Sequence, residues 1–359
     1  MTFYQELQLN QQGSKALLKA SANGREKARH LAIYIFKVLL TLLFCVAFVT
    51  LYATLLGDEN SVAGVVVLLA VMVFRQADLG FKASQSVPAL LAIFAVMAFG
   101  PRLANMVPPL AALFVNMICI LSLVILGCHN IIMANHSTFV LGYLVLYGYD
   151  VQGEAYGLRL IGLAVGGVIT ALILYRNHRQ RTYKRSFSDV FREFSMDSTR
   201  SRWQLRMGLG VPLAMFVGQL LGFERVMWIG FAAMGILQPL YMDLKQRIRS
   251  RLPGTIGGCL LFLVLTTLLP EQYYSMLGMI GGIGVGFSVT YGWQTVFNAL
   301  GALSMAMGIY GLGGAVGHRI ADNIFAALFA VAFYWLFERM VDWMRQRKGS
   351  DGGCAADAA

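Results

Sequence analysis

Residues 106–128 read MVPPLAALFVNMICILSLVILGC, and only Asn116 and Ser122 in the run are polar. An α-helix rises 1.5 Å per residue, so about 20 mostly apolar residues cross the hydrocarbon of a bilayer, and this stretch predicts a membrane-spanning helix. Reading outward from it, similar runs predict spans at 31–56, 61–77, 83–100, 104–127, 132–149 and 156–175. A second set follows at 205–222, 224–241, 252–269, 272–289, 291–312 and 319–341. The run at 132–149 is the most polar of the twelve, with Asn135, His136 and Ser137. Composition agrees: of 359 residues 57% are hydrophobic and 13% charged, against about 45–50% and 25% in soluble domains, and the mean hydropathy is +0.63. Disordered, collagen-like and disulfide-scaffold classes are excluded by the same numbers.

A net charge of +11, from 29 Lys and Arg against 18 Asp and Glu, raises nucleic acid as a partner until the cations are located. Lys and Arg favour cytoplasmic loops. With the N-terminus inside, 24 of the 29 fall in cytoplasmic segments, nine of them between Arg176 and Arg206. Only Arg102, Arg159, Arg225 and Arg319 lie outside, and Lys37 lies within the first span. The basic charge is therefore a topology signal, with both termini cytoplasmic, and nucleic acid is dropped as a partner. Cys45, Cys119, Cys128, Cys259 and Cys354 form no CxxC pair, so neither a disulfide framework nor a zinc site is expected. Residues 1–30 are polar and lack the apolar core of a cleavable signal.

The chain repeats itself. Leu55-Leu56-Gly57 with Glu59 recurs as Leu220-Leu221-Gly222 with Glu224, a shift of 165, and Asp78-Leu79, Lys82 and Pro88 recur at the same shift as Asp243-Leu244, Arg247 and Pro253. Tyr147-Gly148 matches Tyr310-Gly311, and Gly157-Leu158-Arg159 matches Gly317-His318-Arg319. The expected fold is an all-α polytopic membrane protein of about twelve transmembrane helices. They form two parallel six-helix repeats related by a pseudo-twofold axis along the membrane normal, an arrangement of transporters and channels. The layout is a cytoplasmic segment 1–30, a first repeat 31–175, a basic linker 176–204, a second repeat 205–342 and a disordered tail 343–359. Phe187, Val190, Phe191 and Phe194 recur at helical spacing in the linker and predict a short amphipathic helix on the inner membrane surface.

Gly222-Phe223-Glu224-Arg225-Val226-Met227-Trp228, then Gln238-Pro239, Asp243, Arg247, Arg251 and Pro253-Gly254-Thr255-Ile256-Gly257-Gly258 stand in order in the second repeat. This series resembles the aromatic acid exporter family, also called the fusaric acid resistance family. Its members carry a tryptophan early in a span, Gln-Pro near that span's cytoplasmic end, and Arg-x-x-Gly-Thr-x-x-Gly leading into the next; Arg251, Gly254, Thr255 and Gly258 fit that spacing. Arg319-Ile320-Ala321-Asp322-Asn323 at the last span is similar too. In the first repeat the equivalent stretch is Ser86-Val-Pro-Ala-Leu, without the Gly-Thr turn, and about thirty residues replace the large cytoplasmic domain of bigger members. The resemblance implies efflux of aromatic or related carboxylic acids across the bacterial inner membrane, in Gram-negative members with a periplasmic adaptor protein. Aluminium-activated malate channels of plants are distant relations.

Ionisable groups in or near membrane helices are costly and mark candidate functional positions. Arg159 and Arg319 hold matching places at outer span ends, with Asp322 one turn below Arg319. A guanidinium presents a planar fork to a carboxylate; Asp322 would tune Arg319 and exchange a proton, with His318 a secondary candidate. Snorkelling and a local Arg319–Asp322 pair explain the same residues structurally. Lys37, two turns into the first span, either snorkels or lines the pathway, and Gln238, beside a helix-breaking proline, could offer its amide to substrate. Asp78 with Lys82 and Asp243 with Arg247 are i, i+4 pairs; with Arg251 they are candidates for the cytoplasmic mouth. The glycines from Gly278 to Gly286 suit close helix packing.

No Ser-His-Asp, HExxH, paired-carboxylate or nucleotide-loop constellation stands in the sequence, so the expectation is a non-enzyme without cofactor or metal. The function expected is a secondary transporter exporting organic anions in exchange for protons. A passive anion channel and a non-transporting scaffold are the alternatives. Beyond lipid and a small anion, an adaptor protein and a homo-oligomeric partner are left open.

Overall fold

The computed structural model describes residues 2–356; the side chains of Tyr241, Asp243, Ser275 and 347–356 lie outside that description. Helix makes up 83% of the chain, and no strand occurs among the described residues. In chain order the helices are α1 Phe3–Leu7, α2 Gln11–Ala20, α3 Gly24–Leu56, α4 Ser61–Phe74, α5 Ala83–Met106, α6 Pro109–Gly127 and α7 His136–Gly148. They continue as α8 Gly153–His178, α9 Asp189–Arg192, α10 Thr199–Leu220, α11 Val226–Ile236, α12 Tyr241–Leu268, α13 Leu277–Phe287 and α14 Tyr291–Ala356. Six are long and apolar enough to cross a membrane: α3, α5, α6, α8, residues Leu244–Leu268 of α12 and Tyr291–Gln346 of α14.

Local chemistry sets the breaks. Asn10 caps α2 by accepting from the Gly13 amide at 2.8 Å. Val107 is extended ahead of Pro108, and α6 starts with Pro109 in its first turn. Gly57 and Gly222, the matched glycines of the repeated Leu-Leu-Gly, both turn the chain at positive φ, 87° and 83°. Several expected elements take a different form. The stretches at 224–241 and 272–289 contain helices of only 11 residues, because Leu237 leaves the helical region before Pro239 and a 3₁₀ segment, Glu271–Met276, precedes α13. The runs at 291–312 and 319–341 share α14, whose two helical parts meet at Gly311 (φ 68°, ψ 175°). The turn expected at Pro253–Gly258 is helix: Pro253 sits inside α12. Its missing amide frees one carbonyl a turn earlier, a defect helices of membrane proteins tolerate.

The chain divides into two compact units, residues Met1–Leu51 with Lys245–Asn323, and residues Tyr52–Leu244 with the chain from Ile324 onward. In the second unit α5 packs on α6 and α8, and α10 on α6 and α11. Trp203, Trp228, Phe74, Phe139, Leu90 and Ile93 are fully enclosed there. Between helices in lipid such close packing, rather than water exclusion, supplies the cohesion. The linker docks on this unit. The Lys82 amide bonds the Arg185 carbonyl, the Phe187 ring meets Phe81 at 5.7 Å, and Val190 is buried. Its helix is a single turn, α9, with Val190 turned to protein and Phe191 exposed.

In the first unit α3 presents Tyr34, Val38 and Leu42 to α13. Tyr34 bonds the Gly286 carbonyl at 3.1 Å and stacks edge-on against Phe287, while Val38 and Leu42 lie over Gly286 and Gly282. The glycine stripe of α13 therefore serves packing. Helices α1 and α2 fold back along the start of α3.

Candidate functional site

Arg251, Gly254, Thr255 and Gly258 recur at i, i+3, i+4 and i+7 and share one face of α12. A Cβ on Gly254 would stand 2.8 Å from the Gly292 carbonyl, and one on Gly258 would be 2.6 Å from the Ala299 Cβ. Only hydrogen fits at either place, and the backbones of α12 and the first part of α14 approach accordingly. Arg251, one turn before, is then drawn in: its Nε donates to Asn323 Oδ1 at 3.0 Å and its NH1 to the Tyr291 hydroxyl at 2.7 Å. Asn323 is itself fixed through Nδ2 to the Arg319 carbonyl at 2.8 Å. Arg247 lies 4.1 Å above the Tyr291 ring, a cation–π contact.

Around this knot Arg319 and Asp322 are buried, and Arg319 interacts electrostatically with Arg251, Cys259, Asp322 and Tyr291. The Thr255 hydroxyl is enclosed without a hydrogen-bond partner among the described residues. The interior thus concentrates two guanidiniums, one carboxylate, an amide, a phenol and a hydroxyl. Of two larger cavities lined partly by α2, one of about 630 Å³ reaches it at Gly254 and Tyr291 and is lined also by Gln12, Gln246, Ser250 and Trp293. The other, of about 320 Å³, is lined by Lys15, Phe287, Ser288, Thr290, Trp293 and Phe297. Both are of small-ligand size.

The remaining candidates go elsewhere. Arg159 is buried in the second unit with its fork taken up by neutral acceptors: Nε to Asn60 Oδ1 at 3.0 Å, NH1 to the Tyr149 carbonyl at 2.6 Å and NH2 to the Glu59 carbonyl at 3.0 Å. It clamps two loops. Lys37 donates to the Leu9 carbonyl and the Ser14 hydroxyl and so pins the N-terminal helices. The Gln238 amide is spent on the carbonyls of Met234 and Gly235 at its own helix end. Asp78 and Lys82 are not a helical pair, because the chain from Ala77 to Lys82 is not helical. Asp78 accepts instead from the Gly80 amide, Tyr183 and Arg181. The Asp243 side chain lies outside the described residues, and the His318 ring rests 4.8 Å from Tyr310.

Sequence reading passed over a second cluster, in the second unit. Arg206 is buried, donating to Glu338 and to the carbonyls of Gln238 and Pro239, with its guanidinium 4.2 Å from the Tyr334 ring. Arg202 also bonds Glu338, at 3.2 Å, and Trp203 donates to the Leu237 carbonyl. The Gln-Pro motif is therefore a helix stop whose bare carbonyls an arginine holds. Glu338, an acid inside an apolar run, was the signal available. Between α6 and α7, buried His129 meets two linker residues, Arg200 at 3.1 Å and Glu193 at 3.4 Å. Burial, then the charge of Arg200, pushes its pKa down to about 4.

Residues 213–333 match the family model described as fusaric acid resistance protein-like. No curated protein and no solved structure matches the chain. That family is one of membrane transporters, and the long apolar helices agree with a multi-pass membrane protein. The Arg251, Tyr291, Arg319, Asp322 and Asn323 knot lies wholly within the segment by which this chain is similar to the fusaric acid resistance proteins.

Proposed function

We propose that the protein is a secondary transporter of the bacterial inner membrane that exports small organic anions, aromatic carboxylates among them, in exchange for protons. One observation carries the reading: the buried knot of Arg251, Arg319 and Asp322 inside apolar helices. Such groups are expensive in a membrane and are kept where charge must move. Two guanidiniums against one carboxylate leave a surplus of positive charge that suits a carboxylate cargo. Asp322 is the group placed to carry the counter-moving proton. Arg251 and Arg319 hold the cargo, Tyr291 and Asn323 orient Arg251, and Gly254 and Gly258 hold the helices at the required spacing.

The distribution of Lys and Arg supports cytoplasmic termini. The two-copy arrangement is supported by a packing correspondence within the units. In one, α10 lies closely on α6, with Gly208 against Leu121; in the other, α3 touches α13 more sparsely, with Val38 against Gly286. Each is the first span of one copy against the fourth span of the other. The family resemblance extends the reading to a periplasmic adaptor.

The test is reconstitution in liposomes with an internal pH dye and an imposed proton gradient. Benzoate should accumulate against its own gradient, and Arg251→Gln should abolish this while the protein still elutes as one species. Flux that never concentrates benzoate and moves no proton would replace this reading with the passive channel; no flux at all would favour the scaffold.

A further inference from the structure

The N-terminal helices are tied down by buried polar contacts that a mere leader does not need. Glu6 is 3% exposed, and its carboxylate lies 2.7 Å from His30 Nδ1 and 3.5 Å from Arg29. Lys37 reaches out of α3 to the Leu9 carbonyl and to the buried Ser14 hydroxyl, and its ammonium sits 5.0 Å from the Tyr34 ring. Tyr34 in turn bonds the Gly286 carbonyl of α13. A break at Ser21, which is extended (φ −61°, ψ 127°), separates this strap from α3.

The strap lies along both cavities, the larger of which reaches the charged knot. Gln12 lines the larger and Lys15 the smaller. They stand three residues apart on α2 and share a face. Lys15 is the one cationic side chain among the described lining residues of either cavity, and the wall around it is aromatic: Phe287, Trp293 and Phe297. Trp293 borders both cavities, and Trp293 and Phe297 stack at 6.1 Å. A cation set in an aromatic wall recognises a flat ring bearing an anionic group, the ring by stacking and the anion by charge-assisted hydrogen bonding.

We propose that the strap completes a binding site for small aromatic anions at the mouth of the first unit, with Lys15 as its cation and Trp293 as its stacking wall. The Glu6 and Lys37 pins hold the strap, and Lys15 with it, against that mouth. The inference rests on the transport reading only for what the bound anion does next. Releasing the strap costs the two pins and is an ordinary local unfolding of short surface helices.

Labelling tests it without flux. In a cysteine-free background, Ser250→Cys, on the wall of the larger cavity, is titrated with a membrane-impermeant maleimide in open membrane sheets. Glu6→Gln with Lys37→Met, which frees the strap, should raise the benzoate needed for half-protection roughly tenfold, the factor expected when about 1.4 kcal/mol of positioning is lost. Benzoate should protect the thiol and benzamide should not. Lys15→Gln should raise the benzoate needed for half-protection about tenfold, with Lys15→Arg close to the parent. Unchanged protection in the strap variant overturns the role of the pins, and unchanged protection in Lys15→Gln overturns the site. Hydrogen exchange on the unmodified protein guards against misfolded variants: benzoate should slow exchange across Gln11–Ala20, and no slowing also overturns the proposal. Protection without any liposome flux would leave the site standing and remove the transport reading alone.

Discussion

Helices α5 and α12 align at a shift of 165 residues and share a proline, Pro88 and Pro253, yet their inner faces are built oppositely. At the 165-residue shift, Ser86, Ala89, Leu90 and Ile93 of α5 stand where α12 has Arg251, Gly254, Thr255 and Gly258. Ser86 turns its hydroxyl back to the carbonyls of Phe81 and Lys82, and Ala89, Leu90 and Ile93 are buried hydrocarbon that fills the contact. In α12 the same face is stripped to glycine and polar groups, so a neighbouring backbone closes in and Arg251 extends to Tyr291 and Asn323. The face of α5 is sealed by side-chain volume; that of α12 trades the volume for polar groups. An arginine can be held inside apolar helices only where its donors find acceptors, and the close approach of α14 supplies them.

The sharpest way to break this comparison is to truncate the two equivalent residues. Arg251→Ala leaves the Tyr291 hydroxyl and the Asn323 carbonyl oxygen without their donor in a buried place, so it should lower stability by about 4 kcal/mol and end benzoate accumulation. Ser86→Ala, which loses only local capping bonds, should cost about 1 kcal/mol and leave accumulation intact. Thermal unfolding in detergent and liposome flux read both; equal effects would dissolve the distinction between the two helices.

Exchanging the packing residues comes next. Gly258→Ile, which imports the α5 residue, drives a side chain into the Val296 carbonyl and Ala299 and should cost about 3 kcal/mol. Ile93→Ala, the opposite change in volume, should cost a similar amount by leaving a cavity. If Gly258→Ile were neutral in the same unfolding assay, close backbone approach would not be what positions Arg251. The two arginines at matching span ends give a smaller contrast. Arg159→Gln loses part of a loop clamp and should lower stability by about 2 kcal/mol, while accumulation per folded molecule stays within twofold. Arg319→Gln should abolish accumulation.

The smallest effect concerns His129, where the connection between α6 and α7 meets the linker. The folded-state pKa of His129, about 4, lies below that of an unfolded histidine, so between that value and about 6.5 the unfolded chain binds the additional proton. Stability should therefore be full above pH 6.5 and fall as the pH drops toward 4. His129→Gln should flatten this slope in a series of unfolding temperatures from pH 7 to 4.5, and an unaltered slope would assign the acid sensitivity to other groups.

Much of this was legible in the chain itself. Runs such as 106–128 give apolar helices because a helix satisfies its own backbone in lipid, and Gly57 and Gly222 turn the chain where the repeat places them. The Arg-x-x-Gly-Thr-x-x-Gly spacing pointed to Arg251 without saying why glycine was needed. The reason is a neighbour about forty residues away, the carbonyl of Gly292, which no periodicity within α12 reveals. The pairing of Arg159 with Arg319 misled for a related cause. Their places along the chain match, but one guanidinium finds three neutral acceptors in loops and the other a charged interior. Lys37 was placed correctly within its helix; what it meets depends on the N-terminal helices folding back. Arg202, which follows it by 165 residues, is instead bound to Glu338.

The sequence alone determined that the chain is helical, that its helices are apolar enough for lipid, where cations concentrate and which segment resembles a transporter family. Those are properties of residues and their neighbours along the chain, fixed by hydropathy and helical period. Only the tertiary structure decided which buried charges share an interior, which arginine is saturated, and that the strap carrying Lys15 borders an aromatic cavity. Side-chain partners and desolvation depend on distances between residues far apart in the chain, and those distances exist only once the helices have packed.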